Sequence, residues 1–290
     1  MLSPAASAAC YRFDRMGARG SASTAVTLRQ GFAETWGGVD GVVAGLDRDA
    51  WATPTGCPGW TVRDCVAHIA ALERVLLGEP VPVHTVPDGL AHVTDDVHRY
   101  MEVGVDLRRS WPVERVLADF REATGARLAD LEELTDADLD GERQFIFGTG
   151  PARRGLGIRL FDCWSHEQDI RRALGTPGGL AGVAAAHCRE QLVRGVGGAV
   201  QEALQPSAGT TVLFDVVGES AARRGLAFDG DAARAADPVV DPTVTLHLDL
   251  NTLAVLGCGR HDDPEARERV EVEGDTALGR RMLEHFGFTP

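Results

Sequence analysis

GCPGWTVRDCVAHIAALE, residues 56–73, contains a turn, a helix start and an amphipathic run in eighteen letters. Pro58–Gly59 is a turn-forming pair. Thr61 with Asp64 has the form of a capping box, in which the threonine side chain accepts from the backbone N–H three residues on. Beyond it Val62, Cys65, Val66, Ile69, Leu72 and Leu76 recur at helical spacing and predict a helix with one buried stripe. His68 lies at the edge of that stripe, with Cys65, Leu72 and Val75 on the same face, so it points inward. Two readings of it stand: a satisfied core histidine, or a ligand whose partners lie elsewhere in the chain.

Further helices follow the same logic. Residues 24–46 place Leu28, Phe32, Trp36, Val39, Val42 and Val43 at helical spacings. A helical region covers about 92–110, and Pro112 suits the first turn of another over 113–134, with Val116, Leu117, Phe120, Leu128, Leu131 and Leu134 apolar. GERQFIFGTGPARRG (141–155) reads as a turn-rich connection, followed by a helix over 156–174 that stops at GTPGG. Long helices joined by loops predict a four-helix bundle. After Gly179 the pattern changes. A helix over 181–204 is followed by β-type runs at TTVLFDVVG, GLAFDG, PTVTLHLDL and RVEVEGD, with helical stretches near 251–256 and 276–286. The expected fold class is α followed by α+β: a helical bundle over 24–176 and a small α/β C-terminal domain over 177–290.

Composition excludes several functions. The chain has 290 residues, 44% hydrophobic and 25% charged, as a globular protein with a proper core would. Its net charge of −14 lacks the basic footprint that phosphate binding needs, which argues against nucleic acid and against anionic membranes as partners. No apolar run approaches the roughly 20 residues that span a bilayer. Residues 1–23 read as a disordered tail or an over-long start, Met16 being a second possible initiator, and they lack the apolar segment of a secretory signal. Cys10, Cys57, Cys65, Cys163, Cys188 and Cys258 show no framework spacing, as expected of reduced thiols in a cytoplasmic protein.

The helix over 156–174 bears on His68. In LFDCWSHEQDIRRAL, Asp162, His166 and Asp169 stand at i, i+4 and i+7 on one narrow face. Alone, that row could be a solvated charged face with Arg159 and Arg172 in surface ion pairs. Together with His68 it offers two imidazoles and a carboxylate from two helices, three protein ligands with an open position, as catalytic zinc prefers. Such donors also suit Ni2+, Fe2+ or Mn2+. The expected metal ligands are His68, Asp162 and His166, with Asp169 orienting His166 or holding Arg172. Glu167 and Cys65 are outside possibilities, and Cys57, Cys65 and Cys163 read as small hydrophobes.

PTGCPGWTVRDCVAHIAALE and RLFDCWSHEQDIRRALG resemble the mycothiol-dependent maleylpyruvate isomerase family, one of the DinB-like metal-binding four-helix bundles. The stretch from DPTVTLHLDLNTLAVLGCGR to the C-terminus resembles that family's C-terminal sterol-carrier-like α/β domain, so the resemblance covers about Thr24 to Pro290. It implies a divalent metal on His68, Asp162 and His166, where the characterised isomerase has Glu at the position of Asp162. It implies mycothiol as a thiol cosubstrate held as thiolate, and a small electrophilic or unsaturated acid as substrate. In an isomerase the thiolate adds to a cis double bond and leaves after rotation to trans; in an S-transferase it stays attached. The family's catalytic arginine falls nearest Arg223 or Arg224 in ESAARRGLAF, a candidate hairpin where an exposed turn charge is the alternative. The cleft between the two domains is the expected location. The alternatives are a non-catalytic metal or small-ligand-binding module and a metal-assisted hydrolase using bound water. Either a monomer or a homodimer is compatible with the sequence.

Overall fold

The structure, a computed structural model, describes residues 24–145, 148–260 and 262–289. The expected N-terminal tail, residues 1–23, lies outside them. The chain divides between Gly179 and Leu180 into two units.

The first unit is helical. Helix α1 (Ala25–Val43) starts at a capping box between Thr24 and Thr27 and buries Leu28, Phe32, Trp36, Val39 and Val43, one face at steps of three and four. A single turn, α2 (Arg48–Trp51), is capped by Asp47 and buries Trp51. Helix α3 (Val62–Leu76) begins at the expected Thr61–Asp64 capping box. Helices α4 (Asp96–Arg109) and α5 (Val113–Glu132) follow, Pro112 standing just before α5 rather than in its first turn.

Residues 141–155 are not a simple loop. Strands β1 (Glu142–Phe145) and β2 (Gly148–Pro151) pair antiparallel, and helix α6 (Ala152–Ala173) begins four residues before the expected Leu156. Strand β1 (ERQF) has a single apolar residue and β2 (GTGP) has two glycines and a proline, so neither carries a strand signal.

Helix α3 packs on α5, α4 and α6, while α1 packs on α6 and α5. The four-helix core is thus α1, α3, α5 and α6, with α4 added on the outer side of α3. At Gly104 of α4 a Cβ would collide with the Ala71 Cβ, so only glycine allows the two helices this close.

An ion-pair network runs through this core. Glu73 of α3 is wholly buried and accepts from Arg159 Nε of α6 at 2.7 Å and from Arg127 Nε of α5 at 3.2 Å. Its carboxylate ties three helices together, and each guanidinium compensates a charge that would otherwise be buried alone.

The second unit begins with helix α7 (Gly182–Leu204). Strands β3 (Thr211–Val217), β4 (Ala222–Phe228), β5 (Ala233–Ala235), β6 (Val244–Asp249) and β7 (Glu271–Gly274) form one sheet in the order β5-β4-β3-β6-β7. Only the central β3–β6 pair is parallel. Val212, Phe214, Val216, Val244, Leu246 and Leu248 alternate onto one buried face, as half-buried strands do. Helices α7, α8 (Leu250–Gly257) and α9 (Thr276–Leu283) pack against these strands. Among the described residues no helix is long and apolar enough to cross a membrane.

Candidate metal centre

The site starts from the turn before α3. The Thr55 N–H donates to the Trp60 carbonyl at 2.9 Å and the Trp60 N–H to the Cys57 carbonyl at 3.1 Å. The Thr55 hydroxyl donates to the Trp60 carbonyl at 2.9 Å and accepts from the Cys57 N–H at 3.2 Å. Gly59 closes the turn at φ +76°, a conformation open to glycine, and the His92 ring occupies the space a Cβ would need. This locked turn delivers Trp60 inward. Its indole N–H donates to the buried Glu102 carboxylate at 2.9 Å, and that carboxylate is also engaged by His92 at 3.1 Å and by Arg109.

Trp60 packs against both site histidines, its ring centroid 4.8 Å from His68 and 5.3 Å from His166. The two imidazoles stand 4.8 Å apart in an edge-on arrangement. The periodicities of α3 and α6 bring His68, Asp162 and His166 together, with potential ligand atoms all within 4.8 Å of one another. His68 Nε2 is 3.3 Å from Asp162 Oδ2, and His166 Nε2 is 3.7 Å from Asp162 Oδ1. Asp169 Oδ2 lies 3.2 Å from His166 Nδ1 while its other oxygen accepts from Arg172 at 2.5 Å. Asp169 is therefore placed both to orient His166 and to hold Arg172.

The electrostatics suit a cation. His68 is 2% exposed, and burial, opposed by Asp162, brings its pKa down to about 4, so the ring is neutral at pH 7 and keeps a lone pair. Its Nε2 faces Asp162, while Nδ1, on the other edge of the ring, is buried and has no hydrogen-bond partner. Burial works to raise the Asp162 pKa, but Arg159, His68 and His166 outweigh it and hold this carboxyl far below the usual range. Arg159 takes Asp162 Oδ2, leaving Oδ1 on the His166 side. Two imidazoles and one ionised carboxylate are a donor set that fits a divalent transition metal.

The idea of a solvated charged face on α6 is corrected by burial: Arg159, His166 and Asp169 are 4%, 5% and 1% exposed, because the row faces α3. Neither Glu167 nor Cys65 belongs to a potential metal group among the described residues. Glu167 accepts from Arg171 at 2.8 Å, and burial lifts its carboxyl to about 7. Cys65 is buried. Burial pushes the Cys163 thiol well above its ordinary range, where it stays a protonated core group. Cys57 does not fit the expectation of a small hydrophobe. It is only half-buried, and with His166 and Asp169 it makes a second group of potential ligand atoms within 4.8 Å. Its place before a Pro-Gly turn gave a local signal for the turn but none for the partner across the bundle.

Arg223 and Arg224 lie within strand β4 of the second unit, not in a turn. Arg224 Nε donates to the Glu190 carboxylate at 2.8 Å and 2.9 Å, while Arg223 is exposed.

Comparison with known proteins gives the following likenesses. Residues 32–171 match the family model of the mycothiol maleylpyruvate isomerase N-terminal domain. Two uncharacterized Mycobacterium tuberculosis proteins, from strains CDC 1551/Oshkosh and H37Rv, are each 28% identical over 139 residues, 47% of this chain and 52% of theirs. The chain thus spans about half the length of these curated relatives. Crystal structures of the mycothiol-dependent maleylpyruvate isomerase and of a mutant of it are 17% identical, with TM-scores of 0.46 and 0.47, covering 82% of this chain and 89% of theirs. The stretch that carries His68, Asp162, His166 and Asp169 is thus the part of the chain that is similar to the mycothiol maleylpyruvate isomerase N-terminal domain.

Proposed function

We propose that the chain is a metal- and mycothiol-dependent isomerase or S-transferase acting on a small electrophilic or unsaturated acid. The observation that carries this reading is the convergence of His68, Asp162 and His166, with His68 held neutral and its Nε2 facing Asp162. The similarity of residues 32–171 to the mycothiol maleylpyruvate isomerase N-terminal domain supports the thiol as cosubstrate. A divalent metal there, Zn2+ first among Zn2+, Ni2+, Fe2+ and Mn2+, would supply a low-molecular-weight thiol in its thiolate form.

The chain's own groups prepare that site. His68 and His166 offer imidazole nitrogens, Asp162 offers a negative oxygen, and Asp169 fixes His166 through its other nitrogen. Trp60 holds both rings in place and covers them with apolar surface, which strengthens every charge interaction inside. Of the two candidate arginines, Arg223 is exposed, while Glu190 holds Arg224.

Elemental analysis of purified protein, with and without added zinc, tests the reading. A stably held divalent ion, lost in His68→Ala, is expected, together with cis-to-trans conversion or S-conjugation of an unsaturated acid that requires mycothiol. Protein that retains no metal even after zinc addition would overturn the proposal.

A further inference from the structure

The two metal-ligand groups share His166, and their carboxylates face opposite edges of its ring. On one edge Nε2 faces Asp162 Oδ1 at 3.7 Å; on the other Nδ1 faces Asp169 Oδ2 at 3.2 Å. A neutral imidazole carries a lone pair on only one nitrogen, the other bearing the proton. We propose that Cys57, His166 and Asp169 form a second seat for a thiophilic divalent cation, alternative to the His68–Asp162–His166 centre. Which seat fills is set by the His166 nitrogen that carries the lone pair.

Three features of the chain support this seat. The Cys57 backbone is fixed by the turn that also fixes Trp60 against His166, so thiol and imidazole are referenced to one rigid element. Among the described cysteines, Cys65, Cys163, Cys188 and Cys258 are buried and Cys57 is half-buried, so of these residues it is the one nearest to solvent. Asp169 is 1% exposed with one oxygen on Arg172 and the other directed at His166, which places an acceptor where a third ligand belongs. Tetrahedral zinc, with bonds of about 2.0–2.3 Å, spaces its ligands by roughly 3.3–3.8 Å. A group already within 4.8 Å needs only a small side-chain adjustment to close on it.

The two seats differ in chemistry. The first offers two nitrogens and an oxygen; the second replaces an imidazole with sulfur and so prefers softer ions such as Zn2+, Co2+ or Cd2+ over Mn2+. Loading the second seat forms a metal–sulfur bond and releases the Cys57 thiol proton to solvent. His166 then holds its remaining proton on Nε2 toward Asp162. With the ion in the first centre that proton sits on Nδ1, toward Asp169. A thiolate ligand from the protein itself also means that metal–sulfur absorption does not require any cosubstrate.

The test is a Co2+ titration of the metal-stripped full chain, reduced with a non-thiol agent and with no thiol added. Sulfur-to-cobalt charge-transfer absorption and bound cobalt are read together. The expectation is a single cobalt ion per chain with a partial charge-transfer band, the ion being divided between seats. Cys57→Ser should abolish the band while still binding cobalt. His68→Ala should keep the band and raise its intensity per cobalt, because only the second seat remains. Cobalt bound with no band in either wild type or His68→Ala overturns this inference and leaves the proposed function standing. A band in wild type that His68→Ala does not change overturns the sharing of the ion with the first centre. A band that survives Cys57→Ser, or two ions bound at once, overturns the assignment or the exclusivity. Circular dichroism of each variant separates loss of a seat from loss of the fold.

Discussion

Lowering the pH of the metal-free protein should destabilise the helical unit through His68. In the folded state burial brings this histidine down to about 4 from an ordinary 6.5. Between those values the unfolded chain binds a proton that the folded one refuses, so stability rises with pH across the window. His68's contribution is complete above pH 6.5 and is lost as the pH falls from there through about 4. Integrated with the two pKa values, the loss between pH 7 and pH 5 is about 2 kcal/mol. Asp162 stays ionised throughout this window and adds no slope of its own. The assay is urea unfolding in the presence of a chelator, followed by tryptophan fluorescence. All five tryptophans, Trp36, Trp51, Trp60, Trp111 and Trp164, lie in the first unit, so the signal reports that unit. A His68→Leu variant removes the titrating group and should lose about 2 kcal/mol less than wild type over the same interval. Equal losses in the two proteins would refute the assignment of a buried neutral imidazole.

Two further outcomes follow from the packing. Replacing Glu73 by Gln leaves Arg159 and Arg127 without their buried countercharge, and the helical unit should lose about 3–5 kcal/mol in urea unfolding; a change under about 1 kcal/mol would mean water reaches the network. Zinc added at about a hundredfold excess over its dissociation constant should stabilise wild type by about 2.7 kcal/mol. That gain should disappear in a His68→Ala, His166→Ala double variant, which removes both seats; a thermal shift that persists there would place the ion elsewhere.

The parts of the structure legible from sequence were those written in local periodicity. Steps of three and four along 28–43 and 62–76 specify one buried face each, and a helix has no other way to present them. The i, i+4, i+7 spacing of Asp162, His166 and Asp169 put them in one row whatever the row faced. The capping box at Thr61 was equally local. Less was readable where the signal was weak or shared. The β1–β2 hairpin has four-residue strands with no apolar alternation, and β2 carries two glycines. Arg159 was open to reading as a surface ion-pair residue and Glu73 carried no signal, because a sequence does not tell a buried ion pair from two exposed charges. Their 86-residue separation closes only when α3 and α6 pack.

The sequence alone therefore determined which helices form, which face each buries, and that one row on α6 carries a carboxylate, an imidazole and a second carboxylate. The packing of α3 against α6 decided what the row meets. It sets His68 opposite Asp162, strips the ring of water so that it stays neutral, and leaves Nδ1 without a partner. Likewise the letters CPGW encoded a turn, but only the folded turn brought the Cys57 sulfur within 4.8 Å of ligand atoms of His166 and Asp169. Backbone periodicity is a property of neighbours in the chain. Ligand geometry belongs to side chains nearly a hundred residues apart, and their distance is fixed by the packing of the bundle together with the buried ion pairs of Glu73.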